Sequence, residues 1–179
     1  MIKLPTQVFV SHSKPEASKI TPLLNERFWK PLGGLWTSTF GDDGGEWVRW
    51  LDGQNYTLDD PRWGGDLWLL EPKEANLAVV AHPSDLRELC ASYPHPELDH
   101  FNSLSERFKS FEFVDWERLS QDYDGLHVPN PWPWRFGYGD DFDYAASMFF
   151  YTMDAECTCW ARWCFEGEPR IASLERSNA

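Results

Sequence analysis

Frequent glycines and prolines divide the chain into short β-prone segments, and this division limits the folds that it can adopt. Segments of strand length, with apolar or alternating side chains, lie at residues 8–10, 35–40, 66–70 and 76–81. Helical spacing of apolar side chains occurs at residues 46–51, 85–92 and 115–123. Short strands with few helices predict an α+β domain with a mixed, largely antiparallel split sheet and a few flanking helices. The length of 179 residues indicates a single domain over residues 1–179.

Three local expectations concern helix ends and the second half of the chain. Ser84 is expected to cap the helix that follows it. The three prolines within residues 129–134 predict irregular structure there. Residues 142–152 form the longest β-prone segment, which we expect to be a late strand paired with a final strand at residues 158–165.

The charge balance excludes some classes of partner. Acidic residues outnumber basic ones by 29 to 16, which gives a formal net charge of −13. Generic binding to nucleic acid or to an anionic membrane depends on basic surface, so both are disfavoured. Residues 1–36 nevertheless hold five basic and two acidic side chains. This amino-terminal segment is therefore the expected place for a small anionic ligand.

Cysteine content and hydropathy bear on the compartment. No apolar run approaches the roughly 18 residues of a membrane span, and residues 1–10 lack the apolar core of a signal peptide. We therefore expect a cytoplasmic protein whose four cysteines are reduced and mostly buried. Zinc binding by Cys157, Cys159 and Cys164 is the alternative, but no fourth ligand at suitable spacing completes it, so no metal is predicted.

Sequence signatures of several enzyme classes are missing. The chain contains no G-x-G-x-x-G, no G-x-x-x-x-G-K-[ST], no H-E-x-x-H and no G-x-S-x-G. The sequence therefore disfavours four classes of enzyme, namely dehydrogenases, P-loop NTPases, zinc proteases and α/β-hydrolases. Among the five histidines, only His12 follows a predicted strand directly and has small polar neighbours.

Short motifs at four places carry a resemblance to a known family. They are VSHS at residues 10–13, KPLGGLWTS at 30–38, YDGLHV at 123–128, and the late acidic and aromatic segment near 140–144. Together they resemble a family of uncharacterised bacterial and phage proteins whose signature is KPxGGLW followed by tryptophans. This resemblance spans most of the chain and implies no chemistry.

The order of these motifs also resembles the ADP-ribosyltransferase fold, in which a histidine ends an early strand, an aromatic strand with serine follows, and an acid opens a late strand. This resemblance implies a protein that binds NAD and transfers ADP-ribose to a macromolecule or hydrolyses NAD. By the same resemblance, His12 holds a ribose and Trp36 stacks on nicotinamide. Ser38 orients the ribose or the amide, and Asp143 is the catalytic acid. Trp36 and Asp143 stand where the family has Tyr and Glu.

Elementary chemistry supports a site of this kind. Cleavage of the glycosidic bond of NAD develops positive charge on the ribose, so a fixed carboxylate stabilises the transition state more than the ground state. Gly33 and Gly34 would let the backbone approach the ligand, since glycine has no Cβ. Lys14, Arg27 and Lys30 are the expected cations for the pyrophosphate.

Each of these assignments has a structural alternative. His12 suits a loop, Trp36 suits the core, and Asp143 suits a solvated turn. A non-catalytic acidic protein that binds a basic partner, as a phage or mobile-element inhibitor or a nucleic-acid mimic, explains the charge equally well. Trp132 and Trp134, in a proline-framed loop, suggest a ring-stacking surface for carbohydrate as a third interpretation.

Overall fold

The computed structural model describes residues 1–26, 30–97, 113–135, 144–153 and 155–172. Within these ranges the strands are β1 (Gln7–Ser11), β2 (Leu35–Thr39), β3 (Asp66–Pro72), β4 (Leu77–Val79), β5 (Gly125–Val128), β6 (Cys157–Trp160) and β7 (Phe165–Ile171). The helices are α1 (Glu46–Gly53), α2 (Pro83–Ser92), α3 (Trp116–Asp122), α4 (Trp132–Arg135) and α5 (Tyr144–Thr152). No helix within the described ranges is both long enough and apolar enough to cross a membrane.

The strands form one seven-stranded sheet in the order β4-β5-β6-β2-β1-β3-β7. Only β4 and β5 are parallel among the neighbouring pairs of this sheet, and the other five pairs are antiparallel. The predicted α+β domain with a mixed, largely antiparallel sheet is therefore confirmed.

The middle of the sheet is its most weakly paired part. β1 pairs with β3 along its whole length, from Gln7 opposite Leu70 to Ser11 opposite Asp66. In contrast, β1 pairs with β2 at only two positions, Gln7 with Thr39 and Val8 with Ser38. Beyond Val8 the two strands are no longer paired, so the sheet opens between them.

Apolar side chains cover both faces of the sheet. Successive residues of a strand point to opposite faces, and Cys159 and Trp160 accordingly belong to different buried clusters. The cluster that contains Cys159 includes Trp116, Leu119 and Phe150, which come from α3 and α5. These helices therefore hold β4, β5 and β6 in place, and with them the half of the sheet beyond β2.

The predicted strand at residues 142–152 is wrong, because residues 144–152 form α5. A short apolar run does not distinguish a strand from a buried helix by its periodicity. Tertiary packing decides here: Phe149 stacks on Trp116 of α3, with ring centroids 6.2 Å apart, and Phe150 is fully buried. The final strand predicted at residues 158–165 is divided between β6 and β7, and β6 pairs with β2 and β5 instead.

Two expectations about local structure are also corrected. His82, rather than Ser84, is the N-cap of α2, and its ring accepts a hydrogen bond from the backbone N–H of Ser84. Asp85 completes the capping box by accepting from the backbone of His82. The segment predicted to be irregular contains the four-residue helix α4, which tolerates Pro133 because the first turn of a helix has no partner for that N–H.

Candidate functional site

A cavity of about 430 Å³ lies where β1 and β2 separate. Its walls come from these two strands, from α1 and the loop after it, and from residues 152, 153 and 155–157 at the end of α5 and the start of β6. Its lining residues include Lys30, Trp36, Ser38, Trp47, Trp50, Gln54, Tyr56, Trp63, Thr152, Met153, Glu156 and Cys157. Ligand pockets typically measure about 300–1,000 Å³, so a small organic molecule would fit.

Aromatic rings form one wall of the cavity. Trp47 and Trp50, three residues apart on α1, stack with their centroids 4.7 Å apart. Trp63 meets Trp50 edge-on at 6.0 Å, and Tyr56 lies 6.2 Å from Trp50 and 6.4 Å from Trp63. Tyr56 and Trp63 are each 38% exposed, which leaves ring surface open at the mouth of the cavity. This wall is suited to stacking on a flat ligand.

Lys30 supplies positive charge beside Trp36. Its Nζ lies 5.6 Å from the centroid of the Trp36 ring, within the range of a cation–π contact, and 3.4 Å from the carbonyl oxygen of Thr152. The Trp36 indole N–H donates to the carbonyl of Gly33 at 3.0 Å, which fixes the plane of the ring. An anionic group entering the cavity would therefore meet Lys30 next to an aromatic face.

Glu156 supplies an acidic group to the lining of the same cavity. It comes immediately before β6, and its side chain is only 12% exposed. One carboxylate oxygen accepts from the backbone N–H of Thr39 at 2.7 Å, and the other accepts from the Thr39 hydroxyl at 3.1 Å. Burial raises the pKa of Glu156, although these two hydrogen bonds oppose the rise. A carboxylate so placed can stabilise positive charge that develops in the cavity.

His127 of β5 lies behind Glu156 and is mostly buried. Its Nδ1 is 2.9 Å from the Thr158 hydroxyl and 3.8 Å from a Glu156 oxygen. Burial lowers the pKa of His127, so the ring is neutral at pH 7. It therefore packs against the carboxylate as a neutral polar group and does not form an ion pair with it.

The structure brings together three of the predicted site residues. Lys30, Trp36 and Ser38 all line the cavity. The Ser38 hydroxyl accepts a hydrogen bond from the backbone N–H of Trp47 at 3.3 Å, so it also joins β2 to the start of α1. These three residues therefore lie on one cavity, and their roles toward NAD stay predictions.

Two other predicted residues lie away from the described lining of the cavity. His12 follows β1, and its Nε2 lies 3.0 Å from the carbonyl oxygen of Asp60 in the loop before β3. Lys14 forms an exposed ion pair with Glu168. Both contacts are structural, and the roles assigned to these residues toward NAD stay predictions.

Gly33 and Gly34 form a turn packed against the chain itself. Their φ angles are +90° and +70°, in the region that favours glycine. A Cβ on Gly33 would lie 2.1 Å from the carbonyl oxygen of Pro22, and one on Gly34 would lie 2.7 Å from Sγ of Cys159. The close approach made possible by these glycines is therefore to neighbouring segments, and it sets the start of β2.

Arg27 and Asp143 lie outside the described residues, so their predicted roles stay predictions. The late strand that Asp143 was expected to open is the helix α5. Glu156 was missed by sequence reasoning, although a signal existed, since it directly precedes the β-prone run Cys157–Trp160. Glu156 thus stands at the opening of a late strand, which is the position that the sequence resemblance describes for the acid.

The three cysteines considered for zinc do not form a site. Cys159 is fully buried, and burial raises the pKa of its thiol. Cys164 has a pKa raised to about 11, again mainly by burial. Within the described part of the chain, no three His, Cys, Asp or Glu side chains are placed to hold a metal ion.

Comparisons with known proteins found no relative of this chain. The chain matches no family model, and neither the curated proteins nor the solved structures yield a similar protein.

Proposed function

We propose that the protein is an ADP-ribosyltransferase-like enzyme that binds NAD in the cavity between β1 and β2. It cleaves the bond between nicotinamide and ribose, and transfers ADP-ribose to a macromolecule or to water. The observation that carries this proposal is the position of Glu156, a largely buried residue with a doubly hydrogen-bonded carboxylate, which lines the same cavity as the aromatic rings.

Glu156 takes the role that the sequence resemblance assigned to Asp143. When the glycosidic bond breaks, its electron pair leaves with neutral nicotinamide, and positive charge grows on the ribose. An ionised Glu156 opposite that ribose stabilises this charge, and the effect is strong because the surroundings are shielded from water. The acceptor hydroxyl, amine or water then bonds to C1′ and releases its proton to solvent.

The other lining residues suit the remaining parts of NAD. Trp36 stays the proposed stacking partner for nicotinamide, and Lys30 beside it is placed to meet the diphosphate. The half-exposed rings of Tyr56 and Trp63 provide a second flat surface for the adenine. Ser38, at the floor between them, stays the proposed contact to a ribose or to the amide.

Calorimetric titration with NAD, together with assay of nicotinamide release, tests this proposal. Glu156→Gln is expected to retain NAD binding and to lose about 10²–10³-fold in nicotinamide release, as expected when one preorganised electrostatic contact to a transition state is removed. Glu88→Gln is the matched control, because the same change is made at an exposed position on α2. Absence of binding at millimolar NAD would refute the proposal, as would equal activity in the two variants.

A second candidate is a non-catalytic acidic protein that docks on a basic partner. The net charge of −13 and the position of His12 outside the described cavity lining favour it. In that case NAD would not bind, and association with a basic protein would weaken steeply with added salt while Glu156→Gln left it unchanged.

A further inference from the structure

A chain of side-chain hydrogen bonds runs through the centre of the sheet and ends on Glu156. The Trp160 indole N–H donates to Oγ1 of Thr37 at 2.8 Å, and the Thr37 hydroxyl donates to Oε1 of Gln7 at 2.7 Å. Nε2 of Gln7 donates to Oγ1 of Thr39 at 3.3 Å, and that hydroxyl donates to Glu156 at 3.1 Å. Trp160 and Gln7 are fully buried, and Thr37 is 4% exposed. Thr37 and Thr39 of β2 and Gln7 of β1 therefore link Trp160 to the carboxylate of Glu156.

The direction of this chain is fixed at its far end. An indole N–H can only donate, so the Thr37 hydroxyl must accept from Trp160. The single proton of Thr37 is then available to Gln7, and the group that receives it must be the amide oxygen.

A second contact fixes the same orientation of the Gln7 amide independently. Nε2 of Gln7 lies 3.2 Å from the carbonyl oxygen of Pro5, which can only accept. With the amide reversed, Gln7 would place its oxygen against this carbonyl and its NH₂ against the Thr37 proton. The Gln7 NH₂ group is therefore directed to Thr39, and the proton of the Thr39 hydroxyl is left for Glu156.

We propose that Gln7 is a positioning residue for Glu156. By holding the amide in one orientation between Thr37 and Thr39, it directs the Thr39 hydroxyl proton to the carboxylate. The carboxylate is thereby kept in its ionised form and faces the cavity. This inference rests on the proposed function only for its consequence in catalysis, since the hydrogen-bond chain exists in the free protein.

Carbon-13 NMR titration of the full chain, labelled at the carboxyl carbon of glutamate, measures the effect directly. Comparison with Glu156→Gln identifies the Glu156 signal. Gln7→Met keeps the length of the side chain and removes both amide groups, and it is expected to raise the titration midpoint of Glu156 by about half to one pH unit, because the Thr39 hydroxyl is no longer directed to the carboxylate. Gln54→Met, the same change on the cavity wall, is expected to leave the midpoint in place.

Thr37→Val provides a second variant if Gln7→Met does not fold. It removes the hydroxyl that locks the amide of Gln7 while leaving Gln7 and Thr39 in place, and a smaller upward shift of the same midpoint is expected. A Glu156 midpoint that is unchanged in the folded Gln7→Met protein, or in Thr37→Val if the former does not fold, would overturn the proposal.

The enzymatic readout separates this inference from the proposed function. If the wild-type protein releases nicotinamide, the acid side of its pH profile is expected to shift in Gln7→Met as the NMR midpoint does. If the NMR midpoint shifts but the wild-type protein releases no nicotinamide, the positioning role of Gln7 stands and the proposed function fails. Nicotinamide release with an identical pH profile in Gln7→Met would instead refute the role of Gln7 alone.

Discussion

The two walls of the cavity are built in different ways. The wall that carries Glu156 is formed by the sheet and by the residues just before β6, and its polar groups are mostly buried and bonded to one another through Gln7, Thr37 and Thr39. The aromatic wall belongs to α1 and the loop that follows it. Its rings contact one another, but Tyr56 and Trp63 stay partly open to solvent.

The two walls therefore differ in how rigidly they hold their side chains. Groups that must face a developing charge need fixed positions, and a sheet with locked hydrogen bonds provides them. Rings that receive a flat ligand can tolerate small movements, and a helix followed by a loop allows these. The proposed activity should therefore fall steeply when one atom of the polar wall is changed. Changes to the aromatic wall should weaken ligand binding gradually.

The largest contrast is expected from adding one methyl group just before β2, which belongs to the polar wall, and one at the end of α1, which belongs to the aromatic wall. Gly34→Ala places a Cβ 2.7 Å from Cys159 and 2.8 Å from Leu23 at a φ of +70°, so we expect destabilisation by about 2–4 kcal/mol from overpacking and backbone strain. Gly53→Ala, at the end of α1, meets nothing within 4 Å and should leave stability unchanged or slightly increased. Urea unfolding of both variants measures this, and equal midpoints would contradict the comparison.

A change of pH tests the polar wall without mutation. The proposed cleavage of NAD needs an ionised Glu156, and because burial raises the pKa of this carboxyl, its protonation on lowering the pH is expected above the usual range for glutamate. Nicotinamide release should therefore fall about tenfold per pH unit below that midpoint. Circular dichroism at each pH serves as the control for unfolding. A midpoint at or below the ordinary glutamate value would show that Glu156 is not the ionised group required.

The smallest effect is expected at the mouth of the aromatic wall. Trp63→Ala removes a ring that is 38% exposed, so KM for NAD should rise by about three- to tenfold while kcat and thermal stability change little. Trp63→Phe, which keeps a flat ring, should recover most of the affinity. A large loss of kcat in Trp63→Ala would assign this wall a catalytic role and remove the distinction between the two.

Local patterns in the sequence were sufficient for much of the fold and for the strand that lines one side of the cavity. Alternation at residues 35–40 gave β2, and with it Trp36 and Ser38 on the cavity wall. Helical spacing of Trp47 and Trp50 gave α1. These features depend on neighbours in sequence, and therefore they are visible without tertiary information.

The features that could not be predicted from the sequence depend on contacts between distant segments. Residues 144–152 have an apolar composition that fits a strand, and only packing of Phe149 on Trp116 makes the helix evident. The contact between Glu156 and Thr39 was hidden for the same reason, since Thr39 lies 117 positions earlier in the chain. No local pattern could indicate that a buried acid meets the end of β2 there.

The outer strand β7 has a consequence for how molecules of this protein meet one another. It is the last strand of the sheet, so one of its edges has no partner among the residues that the structure describes, and an open edge invites a strand from a second molecule. Pro169 lacks the N–H needed for such pairing, and exposed charged side chains flank it, since Glu166 and Glu168 form ion pairs with Lys3 and Lys14. Concentrated solutions of the folded protein should therefore resist edge-to-edge aggregation at this strand.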